Sequence, residues 1–197
     1  MTTVYKVTDA NLQTRGATQW GLGVERTAPG GGELCTDRWL HAYADPVLAA
    51  MMIPIHVDYV GPRMFRADAT VGRDDGTKLG CTSIVLREEV TIPAVTTEQR
   101  IRFAILCAME VTTDPAWRRW AKRWLSGKDR SSKAARARAG AAAWGASAAS
   151  RAADAAWAAT GAAAGAAADT AANAAAWASR AGADLVALAH RAIREES

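Results

Sequence analysis

The chain has 197 residues, which suits one domain or one compact domain with a substantial appendage. Its formal net charge of +4 is unevenly spread, because residues 111–151 carry 10 basic and only 2 acidic groups. The three cysteines are odd in number and lack CxxC spacing, which argues against a zinc site and against a disulfide-rich secreted scaffold. The chain starts without an apolar signal region, and no run is bulky enough to span a membrane. We therefore expect a cytoplasmic protein.

The first part of the chain predicts mainly strands. Alternating β-forming residues predict a strand at Thr3–Thr8, a glycine turn then leads into a short strand near Leu34–Thr36, and Trp39–Tyr43 is expected to be extended. The stretches MFRADATVG and KLGCTSIVLREEV predict two further strands, which a turn at Asp75 and Gly76 would join. These strands favour a small sheet.

Two helix starts accompany these strands. Asp45 is placed as an N-cap and Pro46 at the first helical position, which predicts a short helix through Met52. Thr96 and Gln99 have the spacing of a capping box, and the apolar run that follows predicts a buried helix.

The stretch DPAWRRWAKRWLSG predicts a basic amphipathic helix. Asp114 is its N-cap, Pro115 its first residue and Gly127 its terminator. Three tryptophans at i, i+3 and i+7 share one face and four cations cover the rest: Trp117, Trp120 and Trp124 against Arg118, Arg119, Lys122 and Arg123.

Three interpretations of this helix remain open. In the one that we favour, the tryptophans pack on the rest of the protein and the cations stay in water. In the second, the cations bind nucleic acid, and Arg130, Lys133, Arg136 and Arg138 extend the patch within the basic segment 117–151. The third is attachment to a membrane surface.

The remaining tail is rich in alanine, and Ser126 to Asp184 contains no Leu, Ile, Val, Met or Phe. At ~100° per residue, its polar side chains fall into two narrow stripes on either side of a TGAAAG break. The stripes are Lys133, Arg136, Ser147, Arg151 and Asp154, and then Asp169, Asn173, Arg180, Asp184 and Arg191. We therefore predict two helices with alanine faces, in a hairpin or a stack, and bulky residues at Ala171 or Ala178 should destabilise them.

The predicted fold class is α+β. Residues 1–112 form a small mixed sheet domain closed by a helix, residues 113–127 the basic tryptophan-rich helix, and residues 128–197 the all-α, alanine-rich hairpin or stack.

The sequence contains no recognisable metal or nucleotide motif. The three histidines are far apart in sequence, and GxxxxGK[ST], GxSxG and a GxGxxG after a strand are all missing. We therefore expect no metal and no cofactor. Glu88 and Glu89 are interpreted as part of a solvated face, with a catalytic carboxylate as the alternative.

Four segments of the chain resemble an uncharacterised bacteriophage and prophage domain family. They are YKVTDANLQTRGATQWGLG, GELCTDRWLHAYADP, RMFRADATVG and TEQRIRFAILCAMEV. The resemblance implies an N-terminal α+β domain with an alanine-rich helical repeat tail, in the cytoplasm of a bacterial host cell. It also implies the setting of a host-takeover or anti-defence factor, for example an inhibitor of a CRISPR complex.

A fainter resemblance is to the ADP-ribosyltransferase core. Tyr5, Lys6 and Thr8 lie where that core has its first-strand motif, and Tyr43 lies in the second. The resemblance would make Glu88 or Glu89 the late acidic residue. Lys6 replaces the histidine that would hold the nicotinamide ribose, which counts against NAD binding.

The leading functional expectation is a non-enzymatic phage or prophage accessory protein that binds a host protein or a nucleoprotein complex. Its contact surface would be the tryptophan-rich basic helix with the residues that extend it. The first alternative is an ADP-ribosyltransferase-like enzyme that modifies a host target. The second is a structural protein that self-associates into a homo-oligomer through its alanine faces.

Overall fold

The structure is a computed structural model that describes residues 1–53, 55–131, 133–135 and 164–194. It is a mixed α+β protein with a five-stranded antiparallel sheet. The chain divides into two compact units, Met1–Ala94 and Val95–Ser197, which we call the sheet unit and the helical unit.

The described residues of the sheet unit form seven strands, one α-helix and a short 3-10 turn at Arg15–Ala17. The strands are β1 (Thr2–Thr8), β2 (Gln13–Thr14), β3 (Thr18–Gln19), β4 (Glu25–Thr27), β5 (Leu40–Ala42), β6 (Arg63–Asp74) and β7 (Leu79–Val90). Helix α1 spans Pro46–Met52, and the side chain of Asp45 accepts hydrogen bonds from the first turn of this helix, as predicted. The predicted strands at both ends of the Asp75 turn are confirmed as β6 and β7.

The main sheet curls back on itself. Its order is β1-β6-β7-β4, and β5 also pairs with β7. The backbones of Tyr5 and Tyr43 exchange two hydrogen bonds of 2.8 and 2.9 Å, so β1 has β6 on one side and the end of β5 on the other. Three register shifts between β6 and β7 supply the bend that this closure needs. The sheet is antiparallel where a mixed sheet was predicted, because its two longest strands form a hairpin.

The core of this unit lies on the inner face of the curled sheet. Its members are Val4, Trp20, Ala42, Phe65, Ala67, Ala69, Leu79, Cys81, Ile84 and Leu86. Inward residues alternate with outward ones along β1 and β6, as the period of a strand requires.

The short strand predicted near Leu34–Thr36 is wrong, because this segment forms turns. Leu34 and Trp39 are buried and lie over glycines of the β6–β7 hairpin. A Cβ on Gly80 would lie 2.4 Å from Leu34 Cδ1, so the glycine lets the segment pack on the hairpin without pairing with it.

The described residues of the helical unit form four helices. They are α2 (Thr97–Val111), α3 (Pro115–Leu125), α4 (Ala164–Arg180) and α5 (Leu185–Ile193). The capping box of Thr96 and Gln99 is present at the start of α2, as predicted. The sequence placed α2 in a domain ending at residue 112, but α2 packs against α4 and α5 and belongs to the helical unit.

Helix α4 confirms the predicted polar stripe and corrects its length. Asp169, Asn173 and Arg180 are exposed, whereas all but one of the alanines between them are buried. The stripe was expected to continue to Arg191 in one helix, but the chain turns at Gly182, where φ is +83°. Asp184 is the N-cap of α5 and accepts a hydrogen bond from the Ala187 amide, so it belongs to the next helix and not to the stripe.

The other half of the predicted hairpin lies mostly outside the described residues. This applies to Arg136, Arg138, Ser147, Arg151 and Asp154. In the TGAAAG segment, Ala164 and Gly165 are the first residues of α4.

Candidate functional site

Helix α3 has the predicted ends and the predicted apolar face. Asp114 accepts a hydrogen bond from the Ala116 amide, and Gly127 follows the helix with a φ of +73°. The three tryptophans of α3 are between 1% and 4% exposed. Trp117 and Trp120 contact each other edge to face, with ring centroids 5.6 Å apart. The packing interpretation is therefore correct for the tryptophans.

The opposite side of α3 carries three exposed cations, Arg119, Lys122 and Arg123, which we call the α3 basic face. None of the ion pairs formed within the described residues includes them. Asp129 lies just beyond the helix, and its pKa is lowered mainly by hydrogen bonds from Ser131 and to a smaller extent by Arg123. The face is positively charged because α3 contains no acidic residue.

The other predicted cations of this region have different positions. Arg118 donates to the carbonyl oxygens of Met109 and Thr112, so it binds the C-terminal end of α2. Arg130 forms an ion pair with Glu98. Lys133 is exposed, whereas Arg136 and Arg138 lie outside the described residues.

The sheet unit contains a second unusual group, the ammonium of Lys6. This residue is 5% exposed and pairs with Phe65 across β1 and β6. Its Nζ donates a hydrogen bond of 2.7 Å to the carbonyl oxygen of His41 and lies 4.7 Å from the centre of the Trp20 ring. Burial lowers the pKa of Lys6 to about 8, an effect that Cys81 partly opposes.

The sequence reasoning considered Lys6 only as a departure from a motif and missed its burial. The signal was present, because Lys6 and Val4 have the same parity along β1 and must face the same side. A buried ammonium next to a ring face is stabilised by cation–π attraction, and the hydrogen bond to His41 satisfies one of its donors.

The remaining residues of the transferase resemblance lie in two parts of the sheet unit, at β1 with the end of β5 and on β7. Tyr5 and Tyr43 are brought together by their backbone bridge, Tyr43 is 5% exposed, and Thr8 is fully buried. Burial also raises the pKa of Tyr43. These residues lie on or next to the strands that also hold Lys6, β1 and β5.

Glu88 and Glu89 lie on β7, on the opposite side of β6 from β1, and each forms an ion pair with an arginine. The Arg66–Glu88 pair is 2.6 Å apart and the Arg63–Glu89 pair 2.5 Å. Hydrogen bonds from Arg63 lower the pKa of Glu89. The two glutamates therefore belong to a charged, solvated face, as the first interpretation had it.

Within the described ranges, no group of three or more His, Cys, Asp or Glu side chains could hold a metal ion. None of the helices found there is long and apolar enough to cross a membrane.

Comparisons with family models, curated proteins and solved structures find no match to this chain.

Proposed function

We propose that the protein is a non-enzymatic binding protein whose α3 basic face contacts the nucleic-acid backbone of a nucleoprotein complex. The observation that carries the proposal is the division of α3 into a buried tryptophan side and an exposed cationic side. Residues 111–151 have the largest excess of basic groups along the chain, and Lys133 is exposed shortly after the helix.

The burial of the tryptophans also indicates the kind of contact. Binding of single strands by base stacking needs accessible aromatic rings, and those of α3 are not accessible. Exposed Arg and Lys side chains bind phosphates, which position a protein on nucleic acid without reading the bases. We therefore infer binding with little sequence preference and a strong dependence on salt.

Binding to labelled duplex DNA, single-stranded DNA and RNA over about 50 to 200 mM salt tests the proposal. Three phosphate contacts predict a slope of about −3 when the logarithm of the association constant for duplex DNA is plotted against the logarithm of salt concentration. Replacing Arg119, Lys122 and Arg123 together by Gln should remove most of this dependence.

The matched control removes three exposed cations elsewhere, Arg15, Arg180 and Arg191, by the same change to Gln. If both triple variants lose the same affinity for nucleic acid, net charge alone determines binding, and the α3 basic face is not a specific binding surface. If none of the three probes shows salt-dependent binding, nucleic acid is not the partner.

The phage setting remains part of the proposal. The resemblance to phage and prophage chains supports a host-takeover or anti-defence role, with inhibition of a CRISPR complex as one example. Affinity capture from a bacterial lysate, with and without nuclease, tests this: loss of the captured proteins after nuclease treatment supports contact through nucleic acid. Capture that is unchanged by nuclease favours a protein surface instead.

Two observations bear on the alternative roles. Lys6 stands in the sheet core where the transferase resemblance expects a histidine that holds NAD, and turnover of labelled NAD would be needed to support that activity. We also propose that the alanine face of α4 is covered within its own chain, because α4 packs against α2 and buries most of its alanines. A mass measurement that shows a stable oligomer would favour the self-associating alternative.

A further inference from the structure

The helical unit contains a groove of about 280 Å³ that the role of the α3 basic face does not use. It lies between the first turn of α2, with Thr96, Glu98 and Gln99, and the end of α5, with Ile193 and Arg194. Arg102 of α2 also lines it, one turn further along the helix.

Arg102 is the unusual member of this lining. It is only 8% exposed, which is rare for a charged side chain without a partner of opposite charge. Its Nη1 donates a hydrogen bond of 3.1 Å to the carbonyl oxygen of Leu125, whereas its buried Nε has no acceptor among the residues that the structure describes. None of the ion pairs within the described part of the chain includes Arg102. The guanidinium therefore has no anionic partner among these residues.

The surroundings of Arg102 favour an anion in the groove. The amino end of α2 carries the positive end of the helix dipole, which favours an anion, although the Gln99 amide there already donates to Thr96 in the capping box. Glu98 would oppose an anion, but Arg130 forms an ion pair of 2.8 Å with it. Arg194 is exposed on the other wall and adds a second guanidinium.

We propose that this groove binds a phosphate group, with Arg102 and Arg194 as its charged donors. Guanidinium groups bind phosphate oxygens through paired, charge-assisted hydrogen bonds, which satisfies donors that are otherwise unused. The groove has more room than inorganic phosphate fills, so a phosphomonoester should bind at least as well as the free ion.

The test uses the full chain and measures binding of inorganic phosphate and of glycerol phosphate by calorimetry, at ionic strength held constant with chloride. We expect saturable binding of both, and tighter binding of glycerol phosphate would assign the site to an esterified ligand. Arg194→Ala should weaken binding roughly tenfold, as expected for the loss of one charge-assisted contact.

Arg191→Ala is the matched control, because Arg191 is exposed on the same helix but does not line the groove. Arg102→Gln should abolish phosphate binding. If this variant does not fold, the comparison of Arg194→Ala with Arg191→Ala still tests the proposal. Equal affinity in these two variants, or no binding beyond that of chloride, would overturn the proposal. The Gln variant of the α3 basic face should retain phosphate binding, so failure of this site is distinguishable from failure of the proposed function.

Discussion

The sheet unit and the helical unit place their charges in different ways. The sheet unit has 9 basic and 11 acidic residues, and the helical unit has 15 and 9. On the outer face of the β6–β7 hairpin, arginines meet carboxylates from the neighbouring strand: Arg63–Glu89, Arg66–Glu88 and Arg87–Asp68. The α3 basic face forms no such pairs within the described residues. A surface that is neutralised by its own fold is a poor place to attract an anion, whereas an unneutralised one is a good place.

The two units also differ in how they build an interior. The sheet unit encloses bulky side chains and the ammonium of Lys6. The helical unit also buries bulky side chains on α2 and α3, but α4 buries only alanines there, such as Ala171, Ala175 and Ala178, each fully buried. Alanine contributes little hydrophobic area, so its value lies in letting helices approach closely. We therefore expect the stability of the sheet unit to depend on pH through Lys6. We expect the packing of α4 to be weakened when a larger side chain replaces one of its buried alanines.

The largest effect is expected from Lys6→Met. The folded pKa of about 8 lies below the ordinary value of 10.5, so the unfolded chain binds this proton more tightly. Stability should consequently rise as pH increases from about 8 to 10.5, and below pH 8 the buried charge costs about 3 kcal/mol. The methionine variant should lack this rise and should be more stable at pH 7, by less than that amount because the hydrogen bond to His41 is lost.

Chemical unfolding of both chains at several pH values measures this difference, with the exposed Lys122→Met as the control for removing one lysine. If the free energies of unfolding of the natural chain and of Lys6→Met run parallel from pH 7 to 10.5, burial does not perturb Lys6.

An intermediate effect is expected from Ala171→Leu in α4. Ala171 is fully buried, so the added side chain forces the helices apart and should lower the free energy of unfolding by about 1–3 kcal/mol. Asn173→Leu places the same leucine side chain at an exposed position of the same helix and should change stability little. Thermal unfolding of the two variants decides the point, and equal stability would mean that α4 is a spacer and not a packed helix.

The smallest effect is expected from Arg87→Met, which breaks the ion pair with Asp68. Both side chains are partly exposed, so the loss should be at most about 1 kcal/mol and should shrink as salt is added. A large, salt-independent loss in urea unfolding would show that the cross-strand pairs stabilise the sheet instead of only neutralising it.

The local signals in the sequence were reliable wherever a few adjacent residues determine the outcome. The N-caps Asp45, Thr96 and Asp114, the turn at Asp75 and the tryptophan face of α3 all appear in the structure. Each depends on hydrogen bonds or helical phase within one or two turns of chain. The segment Leu34–Thr36 failed because its apolar residue packs across the hairpin over Gly80, a contact that no local pattern encodes.

The sequence by itself determined the helix starts, the strand alternation and the two-sided nature of α3, because these follow from spacing along the chain. Only the tertiary structure decided that the sheet closes through Tyr5 and Tyr43, that Lys6 is enclosed, and that Arg102 lines a groove with no counter-ion among the described residues. These features depend on residues far apart in sequence that meet through strand pairing or helix packing. Such contacts determine which groups are buried, how their pKa values shift and which charges are neutralised, and these properties define the candidate sites of this protein.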